Sequence, residues 1–171
     1  MQIALSKSIL RTFRTSDARS LAFYANNPNV AENLRDAFPH PYTIGDADNF
    51  IRTVSSNPKN IILAIEIHGE AVGAIGIYPQ EDVYRKNAEL GYWLGEPFWG
   101  QGIMTEAAYA LVPLAFNHLS IHRIFSNVFE HNLASMKVLE KCGFTREAVH
   151  RKAIIKHGNI LDELVFAKVI L

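Results

Sequence analysis

Near the middle of the chain two glycines, Gly100 and Gly102, stand one residue apart where a strand-like run gives way to a helix-like one. Residues 87–94, NAELGYWL, read as a strand, and residues 105–119 carry apolar side chains at helical spacing. Glycine takes backbone conformations barred to other residues, so successive amides from about Gln101 to Thr105 can converge on one point. The start of the following helix adds unpaired N–H groups and the positive end of its dipole, and Thr105 adds a hydroxyl. A corner of this kind suits an anion, and a diphosphate is its natural guest. It is not an ATP-type phosphate loop, which ends in Gly-Lys-Ser/Thr, nor a dinucleotide fingerprint, which needs an opening strand, a third glycine and a later acid. A bare Gly-x-Gly turn can also do no more than tighten a corner, so the surrounding sequence must decide.

That surrounding order is strand, helix, shaped loop, helix, hairpin, strand, glycine turn, helix, strand, helix, hairpin. Residues 8–14 read as a strand, and Thr15, Ser16 and Asp17 then offer an N-cap for an amphipathic helix ending near Pro28. In residues 29–42, Pro39 and Pro41 forbid a continuous helix and favour an extended loop. Thr43 with Asp46 resembles a capping arrangement for a helix that stops before Pro58. Residues 61–67 and 71–78 form a hairpin around His68, Gly69 and Glu70. Pro113 lies inside the helix over residues 105–119 and should kink or widen it there. A strand over residues 122–129, a helix over 133–141 stopped by Gly143, and a closing hairpin over 144–154 and 161–170 complete the series.

Bulk properties exclude several classes. At 171 residues the chain suffices for one domain with its own core. Seventeen Lys and Arg balance seventeen Asp and Glu, which argues against a nucleic-acid partner. The aromatics Tyr92, Trp93, Phe98 and Trp99 are not interleaved with basic residues as a base-stacking platform would be. No apolar run approaches the roughly 20 residues of a membrane span. The single cysteine, Cys142, allows no internal disulfide and reads as a packing residue, which fits a cytoplasmic setting. His118 and His122 do not share a helical face, and no metal site is expected.

Three motifs in this order resemble the GNAT superfamily of N-acetyltransferases, in particular its branch related to ribosomal-protein N-terminal alanine acetyltransferases. ELGYWL at residues 89–94 is similar to the family's central strand, PFWGQGIMTEA at 97–107 to its pyrophosphate loop and helix, and NLASMKVLEKCGF at 132–144 to its second coenzyme motif. Where the general pattern has Arg or Gln three residues before the first glycine, this chain has Pro97. The resemblance implies an α/β fold over residues 1–171, with a mixed central sheet of about seven strands, splayed in the middle and flanked by helices. It implies acetyl-CoA as cosubstrate and an amine acceptor, with the protein acting as a monomer or homodimer. Tyr92, Trp93 and Leu94 would pair with the pantetheine arm, Gln101, Gly102, Ile103, Met104 and Thr105 would hold the diphosphate, and Asn127, Asn132 and Ser135 would complete the coenzyme site. The parted strands would be those carrying residues 92–94 and 126–129.

Chemistry at the thioester needs a neutral amine, and α-amines near 8 or lysines near 10.4 are mostly protonated at pH 7. Glu89 shares a sheet face with Gly91 and Trp93 and its place resembles that of the family's general base, acting through a water; an ion-paired strand residue is the other reading. Amides near Trp93 and Leu94 would steady the oxyanion. Many relatives protonate the leaving thiolate with a tyrosine, but Leu139 stands at that position here. Ser135, one helical turn earlier on the same face, could serve the sulfur or could cap the helix. The acceptor would be bordered by Arg35, Asp36, Phe38 and Tyr42, where Arg35 and Asp36 could equally pair with each other. A peptide N-terminus and a small-molecule amine both remain open as acceptors, and the rival class is a non-catalytic acyl-CoA sensing domain.

Overall fold

The computed structural model describes residues 1–170, so Leu171, the last residue of the expected domain, lies outside the described residues. Strands β1 (Gln2–Ala4) and β2 (Ile9–Arg11) form a short hairpin, followed by a 3-10 turn at Thr15–Asp17 and helix α1 (Ala18–Ala25). Helix α2 (Pro28–Ala31) is a single turn, and α3 spans Ile44–Ser56. A hairpin of β3 (Ile61–Ile67) and β4 (Glu70–Pro79) leads to β5 (Asn87–Leu94) and then the long helix α4 (Ile103–Leu119). Strand β6 (Arg123–Phe129), helix α5 (Leu133–Lys141) and the hairpin β7 (Thr145–Lys156) and β8 (Asn159–Val169) complete the chain.

The strands make one sheet in the order β1-β2-β3-β4-β5-β6-β8-β7. Every neighbouring pair is antiparallel except β5 and β6, which α4 joins as a crossover. The count is eight where the sequence led us to expect about seven. The additional strand, β1, is three residues long, too short for an alternating pattern to reveal it.

Alternation along the strands sorts side chains onto two helix-covered faces. Leu63, Ile65, Ile75, Ile77, Leu90 and Ile124 join one core with Ala107, Leu111 and Ala115 of α4 and Leu139 of α5. On the other face Ala64 and Ala71 meet Leu21 and Ala25 of α1 and Ile51 of α3. Helix α4 packs a broad apolar face against the sheet and α5, leaves Tyr109 and Asn117 exposed on the other side, and runs unbroken through Pro113.

Local signals explain the boundaries. Thr43 Oγ1 accepts from the Asp46 amide at 3.2 Å while the Asp46 carboxylate accepts from the Thr43 amide at 2.7 Å, which fixes the start of α3. Asn27 accepts from the Asn29 amide with Pro28 at the first helical position, so the expected loop over residues 29–42 contains one helical turn at its head. The β3–β4 and β7–β8 hairpins each close over two residues, His68–Gly69 and His157–Gly158, each pair at positive φ, so Glu70 and Asn159 belong to strands and not to the turns.

One buried ionic cluster ties the sheet to α1. The Arg11 guanidinium donates to both oxygens of Asp17 at 2.7 and 2.8 Å and to Glu66 through Nε. Burial alone would raise the Asp17 carboxyl, but the hydrogen bonds from Arg11 and from the Arg14 amide outweigh it and hold it below the usual carboxylate range. A carboxyl depressed in the folded state lends stability above its unfolded value, near 3.9, and that stability is lost as pH falls through the lower folded value. Asp17→Ala should therefore lower unfolding free energy by about 3 kcal/mol at pH 7, since it strips a buried cation of a partner. Urea titrations at pH 7 and pH 3 test this: the deficit should shrink at the lower pH, and an equal deficit at both would contradict it.

Candidate active site

The glycine turn is built as its sequence suggests. Gly100 and Gly102 have φ of +71° and +78°, and a Cβ at either would meet no atom within 4 Å. The demand for glycine is thus conformational, not steric. Gly102 is the residue before α4, and no side chain caps that helix. The first amide satisfied is Glu106, which donates to the Gly102 carbonyl at 3.0 Å. Helix geometry leaves the N–H groups of Ile103, Met104 and Thr105 without intrahelical partners. The loop carbonyls, by contrast, are tied back: Lys7 Nζ donates to Gln101 O at 2.7 Å, Gln101 Nε2 to Pro97 O at 3.0 Å and Trp99 Nε1 to Leu94 O at 2.7 Å. Donors are left facing outward and acceptors are engaged, which is what an anion requires.

Beside this corner the sheet opens. Strands β5 and β6 stay in parallel register for three pairs, from Asn87↔Arg123 to Glu89↔Phe125, and no pairing follows. The gap widens into a cavity of about 510 Å³ whose walls include Glu89, Tyr92, Trp93, Leu94, Ser126 and Asn127, with Gly102, Ile103, Met104 and Thr105 at one end. The Gly95 amide donates to Val72 O at 2.8 Å, so by antiparallel alternation the Gly91 and Trp93 amides face β4 and the Tyr92 and Leu94 amides face the gap. Of the two expected oxyanion donors, Leu94 has the suitable direction and Trp93 does not.

Asn132 and Ser135 also line the cavity. Asn132 Oδ1 accepts from the Ser135 amide at 3.2 Å, so Asn132 is the cap of α5, its NH2 group remains available, and Ser135 is not needed as a cap. The Ser135 hydroxyl instead meets the Tyr92 hydroxyl at 2.7 Å across the gap. Burial pushes the Tyr92 phenol well above its usual value, so it stays protonated. Leu139, in contrast, is fully buried in the core. Cys142 is buried too, outside the cavity lining, and burial raises its thiol, as suits a packing residue. No cluster able to hold a metal exists among the described residues.

The opposite face carries Glu89, which lines the cavity and is opposite Tyr78 in register. Burial, then the Glu89 carboxylate, raises the Tyr78 phenol, with Arg35 acting the other way, so these three groups share one electrostatic neighbourhood. Arg35 lines the cavity together with Asn33 and Leu34, whereas Asp36, Phe38 and Tyr42 do not. Asp36 instead accepts from Lys156 Nζ at 2.8 Å, and that lysine is 6% exposed. This contact holds the Asp36 carboxyl below its ordinary range and decides against an Arg35–Asp36 pair. The Phe38 ring centroid lies 4.8 Å from that of Tyr42 and 5.5 Å from that of Trp93, so Phe38 and Tyr42 stand behind the Trp93 part of the cavity wall. Tyr42 is buried, and its phenol is pushed up to about 12, first by burial and then by Asp46.

Sequence reasoning missed Lys137, Lys141 and Glu163, all of which line the cavity. The two lysines are four apart on α5, a spacing that puts them on one face and could have been noticed. Glu163 arrives only because β8 inserts between β6 and β7 and sets it opposite Phe129, which no local pattern announces.

Known proteins resemble this chain in sequence and fold. The family model described as an acetyltransferase (GNAT) domain matches residues 7–145. The Bacillus subtilis protein named "Probable N-acetyltransferase YjcK" is 38% identical over 56% of the chain, which spans about half, 53%, of that relative's length. "Putative ribosomal N-acetyltransferase YdaF" of the same organism is 29% identical over 80% of this chain and 69% of its own. Among solved structures, the microcin C7 self immunity acetyltransferase MccE in complex with acetyl-CoA and AMP superimposes with a TM-score of 0.84 at 28% identity, covering 97% of this chain and 94% of the other.

Placing a β-branched residue in a left-handed conformation costs at least about 1–2 kcal/mol. Gly102→Val should accordingly weaken acetyl-CoA binding about tenfold or more, read by calorimetry, while undiminished affinity would mean that the turn does not hold the diphosphate.

Proposed function

The chain belongs to the GNAT acetyltransferase family and is an acetyl-CoA-dependent N-acetyltransferase; we propose that it acetylates the α-amine of a peptide N-terminus, with Glu89 as general base and Ser135 serving the departing sulfur. The observation that carries this reading is the gap between β5 and β6, a passage with Ser135 and the glycine corner on one face and Glu89 on the other. A thioester aimed through it from the α4 side would present its carbonyl to an amine held near Glu89.

Each step has a group to perform it. At pH 7 roughly one α-amine in ten is neutral, given a value near 8. Glu89, with no side-chain partner among the described residues, is available to take the amine's proton through a water as the new C–N bond forms. The gap-facing Leu94 amide suits the carbonyl oxygen as negative charge gathers on it. The C–S bond then breaks, and the Ser135 hydroxyl is placed to hydrogen-bond the thiolate until it takes up a proton. The ribosomal acceptor in the name of YdaF supports the peptide assignment. The sensing alternative has no observation in its favour.

A second reading has one feature behind it. Arg35 lines the cavity without a side-chain partner among the described residues, because Asp36 is engaged by Lys156, and a guanidinium fork fits the carboxylate of a free amino acid. An acceptor panel separates the two: acetylation of peptides over free amino acids supports the first, and the reverse preference, abolished by Arg35→Ala, supports the second. Glu89→Gln should lower kcat about 100-fold at pH 7 with acetyl-CoA affinity unchanged. Unaltered rates would remove Glu89 from the scheme.

A further inference from the structure

The position from which many relatives supply a tyrosine to the thiolate is held here by Leu139, whose side chain is fully buried in the core and does not line the cavity. A phenol is nevertheless present in the gap, brought from the sheet and not from the helix. Tyr92 projects from β5 toward α5, and its hydroxyl lies 2.7 Å from Ser135 Oγ and 3.3 Å from the Ser135 carbonyl oxygen. Both residues line the same cavity.

Two hydroxyls and one carbonyl allow two arrangements of two hydrogens. In one, Ser135 donates to Tyr92 while Tyr92 donates to the more distant carbonyl. In the other, Tyr92 donates to Ser135 Oγ, and the serine hydrogen is released into the cavity. An anion beside Ser135 selects the second, because a hydrogen bond to a charged acceptor is about twice as strong as one between neutral groups. A serine that accepts a hydrogen bond is also the better donor, since chained hydrogen bonds polarise one another.

We propose that Tyr92 is the positioning residue of the thiolate site, donating to Ser135 Oγ so that the serine hydrogen points at the sulfur as the C–S bond breaks; this rests on the reading that Ser135 serves that sulfur. The step is balanced without Tyr92 losing its proton. The amine gives up one proton by way of Glu89, the C–S electron pair stays on sulfur, and the thiol is completed by one proton from solvent. Burial keeps the phenol protonated throughout, which a fixed donor requires.

The test is a double-mutant cycle of Tyr92→Phe and Ser135→Ala, with kcat, KM and acetyl-CoA affinity measured for the wild type and all three variants. Phenylalanine keeps the ring and its packing and removes only the hydroxyl. Tyr92→Phe should lower kcat about tenfold, the worth of one hydrogen bond, while KM and coenzyme affinity hold. In the Ser135→Ala background the same change should have no further effect, because its target is gone. Undiminished kcat in Tyr92→Phe, losses that multiply in the double variant, or a loss confined to coenzyme affinity would each overturn the proposal. If Ser135→Ala alone turns over at the wild-type rate, the reading of Ser135 fails as well, and the two failures are thereby told apart.

Discussion

Two parallel strands that pair for three residues and then separate leave a stretch of backbone unsatisfied on both sides of the opening. In β5 the Tyr92 and Leu94 amides lose their neighbour where β6 turns away after Phe125. Such groups are costly to bury unpaired, so the opening persists only if water or a ligand with its own amides occupies it. The crossover helix α4 starts from the same end of β5, and its uncapped amides therefore lie beside the mouth. Sheet opening and anion corner are two results of one connection: the strand, the glycine turn and the helix are consecutive in the chain.

Strand alternation then divides the chemistry. Even-numbered residues of β5 carry Leu90 into the α4 core and Tyr92 toward Ser135, while odd-numbered residues send Glu89 and Trp93 to the face covered by α1 and α3. A register slip of one residue would exchange these faces and put the carboxylate into the apolar core. The continuous antiparallel ladder from Gly73↔Leu94 to Pro79↔Ala88 guards against that, while the buried Arg11–Asp17–Glu66 cluster ties β2 and β3 to the segment preceding α1.

Much of this was legible in the sequence because its causes are local. The Gly100–Gln101–Gly102 turn, the Thr43 and Asp46 capping box and the positions of the β3–β4 and β7–β8 hairpins, though not the exact length of their turns, depend on neighbours within a few positions. The resemblance of three motifs to a known family added the donor and the parted strands. Apart from Lys137 and Lys141, whose spacing on α5 is local, what escaped notice depends on contacts remote in sequence. Lys156 and Asp36 are 120 residues apart, and their ion pair removed an acidic residue from the expected acceptor wall. Tyr92 and Ser135 are 43 apart, and nothing in either motif says that their hydroxyls meet. Glu163 reaches the cavity through the insertion of β8 between β6 and β7, a matter of topology alone.

The proposed acetyl transfer requires main-chain amides after Gly100 to grip a diphosphate and so aim a thioester into the gap. S-acetylpantetheine keeps the thioester and the arm but lacks the diphosphate and nucleoside, so calorimetric titration of the protein with it and with acetyl-CoA isolates that grip. Acetyl-CoA should bind at least about 100-fold more tightly, a difference of roughly 2.7 kcal/mol, and inorganic pyrophosphate should compete with it. Equal affinities for the two thioesters, with no competition from pyrophosphate, would contradict that grip.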